Sequence, residues 1–120
     1  MYRLDLKIRL HNGPDIALGP GKADLLEAIV QHGSISGAAR AMGMSYRRAW
    51  LLVETMNRSF RQPLVSTQPG GKHGGGTQLT ATGEQVLQRY RALRACALAA
   101  IEQECAALAE LLADPAAEGE

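Results

Sequence analysis

The chain has 120 residues and carries 13 Lys and Arg against 12 Asp and Glu, so its formal net charge is only +1. This length predicts one domain with at most one appended element, and two cysteines are too few for a disulfide framework. We find neither an apolar run of about 18 residues nor a secretory leader, so we expect a reduced, cytoplasmic protein. The charge is uneven: residues 34–73 hold six basic residues and one acidic residue, whereas residues 95–120 hold six acidic and no basic ones. This pattern favours nucleic-acid binding by the middle of the chain.

The first 18 residues predict a β-hairpin. Apolar and charged residues alternate strictly over residues 3–10, as in a strand with one buried face. Turn residues follow at 11–15, and residues 16–18 are predicted to return as a second strand. The charged face, which includes Lys7 and Arg9, could touch phosphate, but a solvated sheet face is the favoured interpretation.

A first helix is predicted from the Gly19-Pro20-Gly21 sequence to a cap at Gly33. Residues 33–50, GSISGAARAMGMSYRRAW, then predict a helix-turn-helix. Gly43 provides the turn, and a second helix is expected from residue 45 to residue 60. The buried stripe of the first helix is predicted to be Leu25, Leu26, Ile29 and Val30.

The second helix of a DNA-binding helix-turn-helix enters the major groove and presents its N-terminal residues to base edges. A helical hairpin without a DNA role is the alternative interpretation. Downstream, strands at 64–66 and 77–80 flank a glycine-rich tip, which predicts a wing, although a plain mobile loop is the alternative. The predicted DNA-binding residues are Ser34, Ser36, Arg40, Ser45, Tyr46, Arg47, Arg48, Arg58, Arg61, Lys72 and His73.

A single long helix is predicted from residue 82 to about residue 112, capped by Thr80 or Thr82. Its apolar residues recur every three or four positions, so we expect a dimerisation helix, with folding back onto the same domain as the alternative. The expected organisation is a winged domain with an N-terminal hairpin at 1–81, the dimerisation helix at 82–113 and a disordered acidic tail at 114–120. The predicted dimerisation residues are Tyr90, Leu93, Ala97, Ile101, Cys105, Leu108 and Leu112.

The fold class predicted by these elements is mainly α with small β-hairpins (α+β), a winged helix-turn-helix with a long C-terminal helix. The chain resembles the N-terminal DNA-binding domain of ModE-type molybdate-responsive transcriptional regulators, which is related to the LysR-type winged helix-turn-helix. Besides the 33–50 sequence, the resemblance rests on ETMN at 54–57, PLV at 63–65, GGKHGGG at 70–76 and LTATG at 79–83.

The resemblance implies a dimeric, sequence-specific transcription regulator in which Ser45, Tyr46, Arg47 and Arg48 recognise DNA and Lys72 serves the wing. Full-length members carry C-terminal oxyanion-binding domains for which 120 residues leave no room. We therefore expect a regulator without the molybdate-binding domains, and no tight molybdate binding by this chain.

The alternative function is a protein-interaction module that uses the helix-turn-helix as a scaffold and the long helix to bind a partner. No enzyme is expected, because HExxH, CxxC and nucleophile-elbow motifs are missing from the sequence. No cofactor or metal site is expected either, since no ligand spacing fits one. Double-stranded DNA and a second copy of the chain are the expected partners.

Overall fold

A computed structural model describes residues 2–68 and 76–116. It confirms the predicted mainly α fold with small antiparallel hairpins. Among the described residues, one two-stranded sheet precedes the first three helices and a second two-stranded sheet precedes the fourth helix. The elements in chain order are β1 (Leu10–Asn12), β2 (Asp15–Leu18), α1 (Pro20–His32), α2 (Ile35–Ala41), α3 (Tyr46–Ser59), β3 (Val65–Gln68), β4 (Gly76–Leu79) and α4 (Ala81–Ala109).

The core lies where α1, α2 and α3 pack together, with the β3–β4 hairpin and the start of α4 closing it. Its largest fully buried side chains are Leu25, Leu26, Ile29, Met56 and Leu64. Val30 was predicted to join this set, but its side chain is 57% exposed. That prediction was wrong because, among the described residues, the neighbours of α1 cover the Leu25–Ile29 side of the helix and leave Val30 facing out.

The helix-turn-helix is shaped by two serine caps and one left-handed glycine. The Ser34 hydroxyl accepts a hydrogen bond from the Gly37 N–H at 2.9 Å, so Ser34 caps α2. Gly43 adopts φ +68°, which a residue with a side chain rarely tolerates, and this lets the chain reverse. The Ser45 hydroxyl then accepts from the Arg48 N–H at 3.1 Å and begins α3.

The predicted wing is present as the antiparallel β3–β4 hairpin, in register from Val65↔Leu79 to Gln68↔Gly76. Its strands are shifted slightly from prediction, because Leu64 is buried in the connection before β3 and Thr80 caps α4. The Thr77 N–H donates to the Gly33 carbonyl at 2.9 Å and so fastens the wing to the end of α1. The tip at 69–75, including Lys72 and His73, lies outside the described residues.

Asn57 connects α3 to the wing. Its side-chain oxygen accepts the N–H groups of Leu64 and Val65 at 2.9 and 3.0 Å, and its amide donates to the Val65 carbonyl at 3.1 Å. On the other side, the Thr80 N–H donates to the Leu64 carbonyl at 2.9 Å. Gly83 packs so closely here that a Cβ atom would lie 2.0 Å from the Leu64 carbonyl oxygen. The segment that leads into β3 is therefore held from both helices.

The N-terminal strand is much shorter than predicted. Only residues 10–12 pair, and residues 2–9 form no described strand, because β2 offers just four residues and a register shift follows Leu10. The alternation at 3–10 reflects a segment that runs beside α4, in which Leu6 and Ile8 are half-buried while Leu4 and Leu10 are exposed. The Tyr90 hydroxyl donates to the Ile8 carbonyl at 2.8 Å and fixes this segment.

The helix α4 has 29 residues, begins after the Thr80 cap and reaches about 43 Å at 1.5 Å per residue. It ends at Ala109, three residues earlier than predicted, because the chain turns at residues 110–112. Only its first turns are buried, at Gly83, Leu87 and Tyr90. The remainder extends from the domain and gives the described residues their longest dimension, 63 Å.

The predicted disordered tail falls partly outside the described residues, at 117–120. Its first part forms a short turn, in which the Ala116 N–H donates to the Asp114 carboxylate at 3.0 Å.

Among the described helices, none has a stretch that is both long and apolar enough to span a membrane.

Candidate nucleic-acid interface

The outer surface of α3 consists of three rows of side chains. The central row, with Arg47, Leu51 and Glu54, is exposed, whereas the opposite side of the helix buries Ala49, Val53 and Met56. This division follows from the 3.6-residue period, since the buried residues recur at steps of three and four. The Ser45 cap sets the first turn, so the exposed Arg47 lies next to the N-terminus of α3, where a recognition helix carries its base-contacting residues.

The second row faces the wing and lines a neutral cleft. Tyr46 is 55% exposed and Trp50 is 42% exposed. Five of the seven residues that line this cleft carry a hydroxyl group, Trp50 adds an indole N–H, and none is charged. We call it the wing cleft; its volume is about 330 Å³, and its residues are Ser34, Ile35, Ser36, Tyr46, Trp50, Thr67 and Thr77.

The third row of α3 faces the N-terminal segment and lines a second cleft, of about 400 Å³. Four of its ten lining residues are Lys7, Arg9, Lys22 and Arg48, and none of the ten is acidic. We call this site the basic cleft. Burial lowers the pKa of Lys22, and Asp15 partly opposes this change. Its ammonium group donates to the Ile16 carbonyl, which holds Lys22 against the hairpin.

Sequence reasoning missed several of these residues. The alternation at 3–10 did place Lys7 and Arg9 on one face, but a sequence pattern does not show which element lies beside that face. Lys22 carried no signal, because a single lysine at the start of an amphipathic helix is ordinary. Trp50 stood within the 33–50 sequence, but its position facing the wing depends on how α3 packs.

The other predicted DNA-binding residues are more scattered. Arg40 is exposed in the last turn of α2 and Arg61 is exposed after α3. Arg58 forms an ion pair with Asp15 at 3.3 Å and lies about 16 Å along α3 from Arg47. The structure therefore gives Arg58 a partner in the N-terminal hairpin and places it away from the first turn of α3.

The predicted dimerisation residues divide into two groups. Tyr90 is only 6% exposed, and burial raises the pKa of its phenol, so it belongs to the core of its own domain. Assigning it to a dimer surface was wrong, because the N-terminal segment covers it. Of the remaining residues, the three leucines are exposed and the other three are half-buried, and Leu112 lies just past the helix end. They are Leu93, Ala97, Ile101, Cys105, Leu108 and Leu112.

Among residues 2–68 and 76–116, no cluster of three or more His, Cys, Asp or Glu side chains suitable for a metal ion is found. The features that the fold does provide are a capped helix-turn-helix, an exposed arginine in the first turn of its second helix, and an adjacent β-hairpin. These define a winged helix-turn-helix protein.

The sequence matches the bacterial regulatory helix-turn-helix protein family of the LysR type over residues 22–84. The chain belongs to this family. It is also similar in structure to the full-length LTTR LysG from Corynebacterium glutamicum with bound effector Arg, with a TM-score of 0.55 and 25% identity, over 78% of this chain and 30% of that one.

Closer relatives in sequence carry names linked to molybdenum. The chain is 47% identical over 77 residues to the molybdenum transport protein ModE of Azotobacter vinelandii, which covers 64% of this chain and 28% of that protein. It is 45% identical over 73 residues to the molybdenum-pterin-binding protein MopA of Rhodobacter capsulatus, covering 61% and 28%. The transcriptional regulator ModE of Haemophilus influenzae is 44% identical over 73 residues, covering 61% and 29%. The matched part of this chain thus spans less than a third of these relatives.

Proposed function

We propose that this chain binds double-stranded DNA sequence-specifically, as the DNA-binding part of a transcription regulator of the ModE type, and that it is not an enzyme. The observation that carries the proposal is the position of Arg47, exposed in the first turn of a capped second helix with a wing beside it. An α-helix about 10–12 Å in diameter fits the major groove of B-DNA, which is about 12 Å wide. The relatives named as ModE regulators support the same role.

In this arrangement the central row of α3 faces the base edges. The Arg47 guanidinium can donate two hydrogen bonds to O6 and N7 of a guanine, which is the commonest specific contact in protein–DNA complexes. Arg40 and Arg61 are exposed cations beside the helix-turn-helix and suit phosphate contacts, which set position without reading sequence. Lys72 in the wing is assigned the same role from the sequence alone.

The test is selection of bound duplexes from a random DNA library, followed by affinity measurement on the selected and scrambled duplexes at several salt concentrations. We expect a selected duplex to bind at least about 1,000-fold more tightly than a scrambled one at physiological salt. Equal binding to both would leave only electrostatic attraction, and binding that is lost at moderate salt for every duplex would favour the protein-interaction alternative.

We further propose that two copies pair through α4. Leu93 and Leu108 are 51% and 65% exposed on a helix that extends beyond its domain, and Leu111, just past the helix end, is 82% exposed. Apolar faces of this kind are usually covered by a partner. The charge on α4 also changes along its length, because Arg89 and Arg94 precede the acidic residues Glu102 and Glu104. Arg91, between the two arginines, is ion-paired with Glu27 of its own domain. Antiparallel pairing brings the basic part of one helix beside the acidic part of the other, whereas parallel pairing brings like charges together.

Disulfide cross-linking tests both the dimer and its direction. In a Cys96→Ala, Cys105→Ala background, chains with Leu93→Cys are mixed with chains with Leu108→Cys. The two positions lie about 22 Å apart on one helix, too far for a bond within a chain. We expect oxidation to link the mixture but neither variant alone. Self-linking of both variants would contradict antiparallel pairing, because only one of two positions about 22 Å apart can lie at the two-fold axis of an antiparallel pair. A chain that stays monomeric in sedimentation and forms no link would overturn the dimer.

A further inference from the structure

The basic cleft concentrates positive charge that the proposed base contact of Arg47 does not use. Its four cations come from three parts of the chain: Lys7 and Arg9 from the N-terminal segment, Lys22 from α1 and Arg48 from α3. Placing four like charges around one cleft costs free energy through repulsion unless solvent or an anion compensates it. No acidic residue is among the described residues that line the cleft. Asp15 acts on Lys22 from the hairpin, but it is itself ion-paired with Arg58. The cleft therefore carries an excess of positive charge that an anion can offset.

The two clefts lie on opposite sides of α3. Tyr46 and Trp50 face the wing cleft, whereas Arg48 and Leu52 face the basic cleft. A helix that fills the major groove has a sugar–phosphate backbone on each side of it, because helix and groove have nearly equal widths. Among the described residues, the backbone on the wing side meets the neutral hydroxyl groups of the wing cleft, and the backbone on the other side passes Arg48. Each DNA strand carries one negative phosphate per 3.4 Å, so this second backbone is the polyanion that the basic cleft would meet.

We infer that the basic cleft binds backbone phosphates of the DNA strand on the hairpin side of α3, with Lys7 and Arg9 supplying contacts from the N-terminal segment. This inference rests on the proposed DNA-binding function. Lys7 and Arg9 precede the 22–84 region that matches the LysR-type family, so they add to the family's domain rather than repeat it. The helix α1 also begins at this cleft, so the positive end of its dipole adds to the same site.

The contacts are expected to position α3 without reading sequence, which gives them a distinct signature. Removal of one phosphate-contacting cation weakens binding to all duplexes alike and lowers the slope of log K against log salt by about one. Arg9→Gln and Lys7→Gln are the informative variants, because both side chains are exposed and their loss leaves the core intact. Lys22 is a poorer choice, since its ammonium group also bonds to the Ile16 carbonyl.

The sequence provides a matched control in the same segment. Arg3→Gln removes the same charge, but Arg3 is ion-paired with Asp5 at 3.0 Å and does not line the basic cleft. We expect Arg9→Gln and Lys7→Gln each to weaken binding to selected and scrambled duplexes by roughly three- to tenfold and to reduce the salt slope, whereas Arg3→Gln changes neither. Arg9→Lys should restore most of the slope, because the charge returns.

The outcomes separate this inference from the function on which it rests. A wild-type chain that binds no duplex would refute the proposed function itself. A wild-type chain that binds DNA, with Arg9→Gln and Lys7→Gln indistinguishable from Arg3→Gln, would overturn only the basic-cleft assignment. A second measurement tests whether the cleft is instead a site for small anions. The assignment would also be overturned if inorganic phosphate at millimolar concentration raised the melting temperature of the wild type but not of Arg9→Gln, while the two proteins had equal DNA salt slopes.

Discussion

Gly83 is the position where the structure makes its sharpest prediction about stability. A Cβ atom added there would lie 2.0 Å from the Leu64 carbonyl oxygen, 2.9 Å from its carbonyl carbon and 3.2 Å from its Cα. All three are backbone atoms, so a rotamer change cannot relieve the clash. Leu64 is itself fully buried, and its carbonyl accepts the Thr80 N–H at 2.9 Å. The Gly83→Ala change must therefore move the connection between α3 and the wing.

Two effects of opposite sign contribute to the magnitude. Alanine is favoured over glycine within a helix by about 1 kcal/mol. Overpacking against a fixed backbone costs about 1–3 kcal/mol, and the displaced Leu64 carbonyl loses a hydrogen bond that contributes about 1 kcal/mol. We expect the steric term to exceed the helix propensity, so that Gly83→Ala lowers the free energy of unfolding by about 1–3 kcal/mol. For a domain of this size, each 1 kcal/mol corresponds to a decrease of about 4–8 °C in melting temperature.

Gly21→Ala is the matched control, because it makes the same substitution in the first turn of α1, where a Cβ atom would meet nothing within 4 Å. Here only the helix and unfolded-state terms act, so we expect unchanged or slightly increased stability. Urea unfolding and thermal melting of both variants check the comparison. DNA affinity should also fall for Gly83→Ala, because Leu64 leads into β3 and positions the wing. A Gly83→Ala protein as stable as Gly21→Ala would refute the assigned packing between α4 and the wing connection.

Three further predictions concern α3. Arg47→Ala should weaken the binding free energy for the selected duplex by about 1–3 kcal/mol and relax the preference at one base pair. Arg89→Ala on α4 should leave the base preference unchanged, and equal effects of the two variants would contradict the base-contact role of Arg47. Trp50 is the single tryptophan of the chain, so its fluorescence reports on the wing cleft that it lines. Acrylamide quenching should decrease when duplex DNA covers this cleft, and undiminished quenching at saturating DNA would show that the cleft stays open. Asn57→Ala should lower the free energy of unfolding by about 2–3 kcal/mol, because the buried Leu64 N–H loses its acceptor; urea unfolding with an unchanged midpoint would count against this clamp.

Local chemistry was sufficient to predict much of this fold. The Ser34 and Ser45 caps and the left-handed Gly43 each act on backbone groups a few residues away, so the 33–50 sequence alone predicts the helix-turn-helix. The same holds for the Thr80 cap of α4 and for the exposure of Arg47, which follows from helical periodicity. Predictions that depended on contact with distant elements were less reliable. Val30 and Tyr90 were assigned to the wrong environments, since periodicity shows which residues share a helix face but not what covers that face.

The first ten residues illustrate the same limit most clearly. Their alternating pattern is compatible with a strand, but a strand exists only where a partner offers backbone hydrogen bonds, and β2 offers them to residues 10–12 alone. The segment instead runs beside α4, where Tyr90, 82 residues away, holds the Ile8 carbonyl. Residue spacing along α3 determined which side chains share its three rows. Tertiary packing decided what flanks those rows. The wing forms the wing cleft on one side, and the N-terminal segment forms the basic cleft on the other. The environment of each row could not be predicted from spacing, because it is formed by residues far away in the chain.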